Sequence, residues 1–228
     1  MAELRDSSIL VVGASGGLGA SIALALAAGG ARLTLAGRDA GRLNDIGISG
    51  ASILTVELTD ADAGRSLVNA VIDQQGRLDG VVFSAGLVAF GPVTDLDDEV
   101  VEKLLLLNYL APLRLTRAAL AVLPPGGFIV NISAVVAETP VANMSAYTAS
   151  KAALTAFDAA ARTEGRRKKI RIIDARPPHT ETGLAFRPIA GHAPKLPTGL
   201  TPTTVARRIV RAIVDDELDL PSSAFTPS

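Results

Sequence analysis

The residues best suited to chemistry are a tyrosine and a lysine four positions apart, Tyr147 and Lys151, in the small-residue run SAYTASKAAL from Ser145 to Leu154. On a helix that spacing puts both side chains on one face. A phenol ordinarily titrates near pH ~10, too high to exchange protons readily at neutral pH. An ammonium beside it favours the phenolate and lowers that pKa, which makes the pair a tuned acid/base. Alone, the spacing describes an amphipathic helix with one boundary ring and one solvated charge. The balance is reversed by a second segment, VVGASGGLG, in which Gly13, Gly17 and Gly19 follow an apolar run and open a helix. Glycine lets the chain turn sharply and lets a phosphate come close to the backbone. The helix start offers unpaired N–H groups and a positive dipole end to a pyrophosphate. Ser15 and Leu18, inside that turn, join the three glycines as expected phosphate contacts.

A dinucleotide site built on such a turn usually carries an acid after the second strand, for the ribose hydroxyls. Here the segment reads LAGRD, with Ala36 and Gly37, then Arg38. A guanidinium suits a 2′-phosphate through charge-assisted hydrogen bonds. NADP(H) is therefore favoured, and NAD(H) remains possible. The alternative for Arg38 is a solvated loop charge. Asp39 is expected to cap the next helix rather than to bind ribose.

These residues need a scaffold, and the apolar patterning supplies one. Short buried runs alternate with helical patterns: strands at Ser8–Val12, Ala31–Ala36, Ser52–Leu58, Leu78–Ala85, Gly127–Ser133 and Lys169–Ala175. Between and after them come helices at Leu18–Ala28, Asp60–Gln75, Asp97–Leu123, Ser145–Lys169 and Thr203–Asp216. Such alternation predicts parallel pairing with right-handed crossovers, a doubly wound α/β sheet of Rossmann type with six or seven strands. No composition shift marks a second domain, so residues 1–228 read as one domain. Residues 176–202, with six prolines and three glycines, read as a lid loop. ELDLPSSAFTPS at the end is either a short strand or a tail.

Composition excludes several alternatives. The chain has 228 residues, a formal net charge of −1 and no cysteine, so disulfides, thiolate metal sites and cysteine nucleophiles are out. Two histidines, His179 and His192, do not make a metal site, and no metal is expected. Near-neutral charge and scarce aromatic residues argue against nucleic acid. The basic run Arg166–Lys169 suits a helix C-terminus by the dipole alone. Ile9 to Ala31 is uncharged over a membrane-spanning length, but GASGGLG breaks it. No basic excess precedes it, so a soluble cytoplasmic protein without a membrane partner is expected.

Taken in order, GASGGLG, FSAG (Phe83–Gly86), LLLNYLAP with Asn108, VNIS, YTASK and PPHTET resemble the short-chain dehydrogenase/reductase family over nearly the whole chain, from Ser8 to about Asp216. The resemblance implies an NAD(P)-dependent oxidoreductase acting on a small-molecule carbonyl or alcohol. It implies that Tyr147 passes a proton to the carbonyl oxygen and that Lys151 lowers the Tyr147 pKa and holds the nicotinamide ribose. Asn108 would fix a kink in the long helix and a water in the proton relay. Thr182 would contact the cofactor near its carboxamide or phosphates, and His179 and Thr180, after Pro177, would lie along the nicotinamide. Ser84, Ala85 and Gly86 would lie against the adenine side, with Glu57 and Leu58 near the adenine amine.

The pattern departs from the family in one catalytic place. The family serine stands thirteen residues before the tyrosine, where this chain has Ala134; Ser133 lies fourteen before. Loss of one donor to the substrate oxygen typically costs ~2.7–4 kcal/mol of transition-state stabilisation. A straight strand through Ser133 would aim it away from Tyr147; a bulge or turn would swing it in. Ser133 remains the expected catalytic hydroxyl, with Asn143 a substitute if the helix begins early and Ser145 facing elsewhere. Milder departures are Phe83 and Ser84 for two asparagines, Glu57-Leu58 for Asp-Val, and Pro178 for glycine, which stiffens the lid entry.

In the lid, Leu184, Phe186 and Ile189 are expected over an apolar substrate, and Arg187, His192 and Lys195 near any carboxylate or phosphate. The long helix, apolar around most of its circumference, predicts a homo-oligomer. A rival to the carbonyl reductase is a dinucleotide-binding regulator or scaffold with little chemistry. A sugar-nucleotide epimerase would use the same pair, but the chain is short for that branch.

Overall fold

The computed structural model describes residues 4–225. Seven parallel strands form one sheet in the order β3-β2-β1-β4-β5-β6-β7. They are β1 (Ser8–Val12), β2 (Arg32–Gly37), β3 (Ser52–Thr55), β4 (Gly80–Phe83), β5 (Phe128–Ile132), β6 (Arg171–Ala175) and β7 (Asp219–Leu220). The third and fourth strands are shorter than their apolar runs, because the flanking residues leave the ladder to form the site's loops. The C-terminal segment resolves as the two-residue β7 and a 3-10 turn at Ser222–Phe225. The uncharged run Ile9–Ala31 is divided into β1, the glycine turn and helix α1 (Gly17–Ala28).

Helices cover both faces. α1 and α7 (Pro202–Val214) pack on one, through Ile22, Leu26, Val205 and Ile209 against Val11, Val82 and Val130. On the other lie α3 (Ala63–Gln75), α4 (Asp98–Leu105), α5 (Ala111–Val122) and α6 (Ser145–Arg167), with Leu67, Val71, Leu115 and Ala161 against Leu10, Val81 and Ile129. Gly64 lets α3 touch α5: a Cβ there would lie 2.8 Å from the Leu115 backbone. A five-residue helix, α2 (Ala40–Asn44), follows β2, and Asp39 caps it by accepting from the Arg42 N–H at 3.1 Å.

The long helix expected over Asp97–Leu123 is α4 and α5 joined through a π-helical turn, Leu106–Leu110. Asn108 sits in that turn and is fully buried. The strand order reverses between β1 and β4, and a crevice beyond the strands' carboxyl ends is where such sheets take ligands.

Candidate active site

Gly13, with φ +77°, makes the first bend after β1. A Cβ there would meet the Ala85 nitrogen at 2.5 Å, and one on Gly19 would meet the Gly13 oxygen at 2.3 Å. Both glycines are therefore required by packing alone. Ser84 locks this arrangement by donating to the Val12 oxygen at 2.8 Å. The start of α1 is different: its N-cap, Gly16, has no side chain to cap it, and the first turn holds no acid. The unpaired amides and dipole there fit a phosphate. Thr182, from the lid, stands over Gly17, with its Cα 3.2 Å from where a Cβ would be.

Arg38 is exposed at the end of β2. Glu57 is held below its usual pKa by hydrogen bonds from Thr59, and the Arg38 charge adds to that effect. Arg42, in α2, reaches back to donate to the Ser15 carbonyl at 2.9 Å. It brings a second guanidinium to the glycine turn. No pattern in the sequence singles it out, because Arg38 lies outside α2 and the two arginines share no helix. Leu58 is buried in the core beside these residues. The uncapped start of α1 and the exposed guanidinium of Arg38 fit a nicotinamide dinucleotide.

Tyr147 and Lys151 are both buried on the inward face of α6. Lys151 Nζ donates to the Ile132 carbonyl at 2.8 Å, and a Cβ on Gly86 would be 3.5 Å from Nζ. Asn108 lies on the same side of Gly86, its Oδ1 3.3 Å from where that Cβ would be. Its Oδ1 accepts from the Leu87 N–H at 2.9 Å, and its Nδ2 donates to the Leu87 carbonyl and to Ser150 Oγ, each at 3.0 Å. Ser150 in turn donates to the Tyr147 carbonyl at 2.7 Å. The buried amide thus binds the loop after β4 to the helix that carries the tyrosine.

The expected direction of the tyrosine shift is reversed. Burial pushes the Tyr147 phenol up to about 12, and Lys151 down to about 8 against the pull of Asp174 and Asp158. Lys151 points its proton at a carbonyl rather than at the phenol, so desolvation dominates both groups. At neutral pH the phenol keeps its proton.

Ser133 is not brought to Tyr147. The strand pairing continues straight through it, its N–H donating to the Ala175 oxygen at 2.9 Å. Its Oγ donates to Asp174 at 2.6 Å and accepts from Thr155 at 3.1 Å. Ala134 takes the place beside the phenol, in one apolar cluster with Tyr147, Val88, Phe90 and Val136. The substitute Asn143 also fails. It has φ +63°, is exposed, and precedes a helix that starts only at Ser145.

The lid root is tied down by Arg176, which donates to Asp174, to both oxygens of Asp219 at 2.9 Å and to Glu138 at 2.5 Å. Pro177 accepts from the Val135 N–H at 3.1 Å. The His179 carbonyl accepts from the Leu200 N–H at 2.9 Å, and Thr180 Oγ1 donates to the Pro178 carbonyl at 2.9 Å. Thr182 Oγ1 accepts from the Leu184 N–H at 3.3 Å. Leu184 and Ile189 pack against the Tyr147 cluster, whereas Phe186 is 80% exposed and packs on nothing there. Ile189 and Ala190 pair with Val88 and Phe90 by two backbone hydrogen bonds of 2.9 and 3.0 Å.

The parallel sheet, with a glycine turn at its switch point and helices on both faces, defines a doubly wound protein of Rossmann type. The model of the short chain dehydrogenase family matches residues 7–188, and the chain belongs to that family. It is 34% identical over 200 residues to an uncharacterised oxidoreductase of Methylorubrum extorquens, covering 84% of this chain and 80% of the relative. It is 28% identical to the dehydrogenase/reductase SDR family member 7B of Xenopus tropicalis, covering 100% of this chain and 80% of that one. Among solved structures, a short chain dehydrogenase of Burkholderia cenocepacia in complex with NADP matches with a TM-score of 0.86 and 27% identity. That match covers 99% of this chain and 100% of the other. One from Burkholderia phymatum in complex with NAD matches in fold, with a TM-score of 0.86 at 20% identity over 97% and 90% of the two chains.

Proposed function

We propose that the protein is an NADP(H)-dependent carbonyl reductase, reversible as an alcohol dehydrogenase, in which Tyr147 is the proton donor. The observation that carries this reading is the burial of Tyr147 and Lys151 on one face of α6, beside Gly86 and across from the uncapped start of α1. A reduced nicotinamide, when bound, supplies hydride to the substrate carbon. The chain's own residues do the rest. The α1 amides and Thr182 hold the phosphates, and Lys151 orients the ribose. Tyr147 Oη hands its proton to the substrate oxygen. Asn108 fixes the loop and helix that carry these groups. The exposed guanidinium of Arg38, with Arg42 next to it, favours the 2′-phosphate over a bare ribose, and NAD(H) is the weaker alternative.

The rival is a dinucleotide-binding regulator with this fold. What favours it is Ala134 in the serine's place and Ser133 turned to Asp174. Oxidation of NADPH and NADH is measured with a panel of ketones, aldehydes and quinones. Tyr147→Phe is expected to lower kcat/KM by about 10²- to 10⁴-fold, with cofactor affinity retained. Arg38→Asp is expected to lower the NADPH-to-NADH preference by about tenfold or more. Tight NADPH binding with no Tyr147-dependent turnover would establish the rival.

A further inference from the structure

Reduction of a carbonyl builds negative charge on its oxygen, and the hydrogen bonds waiting for that oxygen decide which carbonyls react. Around Tyr147 those donors are few. Among the described residues no hydrogen bond reaches the Tyr147 Oη, so the phenol is free to donate. The nearby polar groups are all committed or turned away. The single Ser133 proton goes to Asp174, whose other oxygen is held by Arg176. Both protons of the Asn108 amide are taken, by the Leu87 carbonyl and by Ser150. Ser145 and Thr148 carry buried hydroxyls without partners, but they stand two residues before and one residue after Tyr147. On a helix of 3.6 residues per turn they lie about 200° and about 100° around from it. Ala134, Val136, Val88 and Phe90 make the wall, and Leu184 and Ile189 of the lid close it.

We propose that the substrate is an apolar vicinal diketone, because Tyr147 is the lone side-chain donor at the reacting oxygen and the neighbouring carbonyl replaces the missing second donor. This rests on the oxidoreductase reading above. A carbonyl withdraws electron density from the carbon beside it. The oxyanion formed there is less basic and needs less external stabilisation than one from a simple ketone. The balance is straightforward. The reacting carbon gains hydride from a reduced nicotinamide, and its oxygen gains the Tyr147 proton. C=O becomes CH–OH while the second C=O remains, and the phenolate recovers a proton from solvent. The apolar walls accept the apolar flanks of such a molecule and offer nothing to a charged one.

The test is a matched pair, 1-phenylpropane-1,2-dione and 1-phenylpropan-1-one, with NADPH, on the wild-type protein and on Ala134→Ser. The wild type is expected to prefer the dione by about 10³-fold or more in kcat/KM. A hydroxyl restored at 134 is worth about 10²-fold to the monoketone and less than about fivefold to the dione. Trifluoroethanol, an acidic alcohol that mimics the oxyanion, gives a readout without turnover. Its calorimetric affinity for the NADP⁺ complex is expected to rise about tenfold or more in Ala134→Ser. Ala134→Thr serves if the serine variant does not fold. Wild-type rates on the two ketones within tenfold of each other, or an equal gain for both in the variant, overturn the substrate class alone. NADPH binding with no Tyr147-dependent turnover of any carbonyl overturns the oxidoreductase reading and the substrate class with it.

Discussion

Asp158 shows how far a single residue can depart from its ordinary chemistry. It is fully buried on α6, accepts from Asn131 Nδ2 at 2.7 Å through one oxygen, and leaves the other oxygen without a partner. Burial raises its pKa well above the carboxylate range, against the pull of Asn131, Arg162 and Lys151. The folded protein therefore keeps a proton that the unfolded chain releases above about pH 4. Stability contributed by this site is present at low pH and is lost as pH rises toward the folded pKa. Asparagine cannot release that proton. Asp158→Asn is expected to gain on the wild type in urea unfolding as pH rises above about 4, where the unfolded carboxyl ionises and the folded one keeps its proton. A gap that stays constant with pH would show the carboxyl to be ionised throughout. At this scale residue types and spacing identified Tyr147, Lys151 and the glycines, because a four-residue interval on a helix is a geometric fact. The direction of the tyrosine shift was not legible, since burial outweighed the neighbouring charge. Nor was the fate of Ser133, which depended on whether β5 ran straight.

Among the elements, the lid is held by backbone bonds to neighbouring loops. Its middle clips to the loop after β4 by the backbone pairs of Ile189 and Ala190 with Val88 and Phe90. Gly191 makes this possible. Its φ is +69°, and a Cβ would lie 1.9 Å from the Phe90 oxygen. Gly191→Ala is expected to unclip the lid while sparing the sheet, and limited proteolysis should then cut between residues 184 and 199 several-fold faster. Equal cutting rates would mean that other contacts hold it. The helices and strands themselves were legible from apolar periodicity. Two features were not. Strands β3 and β4 stop short of their apolar runs, at Thr55 and Phe83, because the residues beyond them leave the ladder. The π turn at Asn108 depends on three hydrogen bonds to Leu87 and Ser150, which are 21 and 42 residues away.

At the scale of the molecule, long-range charge ties the site to the rest of the sheet. Arg176 joins β6, the short β7 and Glu138, so the lid root and the segment after β5 share one anchor. α4 and α5 present the opposite situation. Leu105, Leu106, Leu110 and Leu113 remain only half-buried, and Val122 is 41% exposed. An apolar face of this kind on a family enzyme suits a second copy of the chain. Light scattering is expected to give at least a dimer, and a charged substitution, Leu113→Glu, is expected to shift it toward monomer. A monomer in the wild type would refute this.

By itself the sequence determined the doubly wound sheet, the glycine turn, and the pairing of Tyr147 with Lys151, because each rests on local periodicity or on intervals along one element. Tertiary structure decided that Ser133 turns away from the phenol, which way the phenol's acidity moves, and what Asp174 and Arg176 do. Those outcomes depend on desolvation and on contacts between strands far apart in the chain, and no local pattern encodes them.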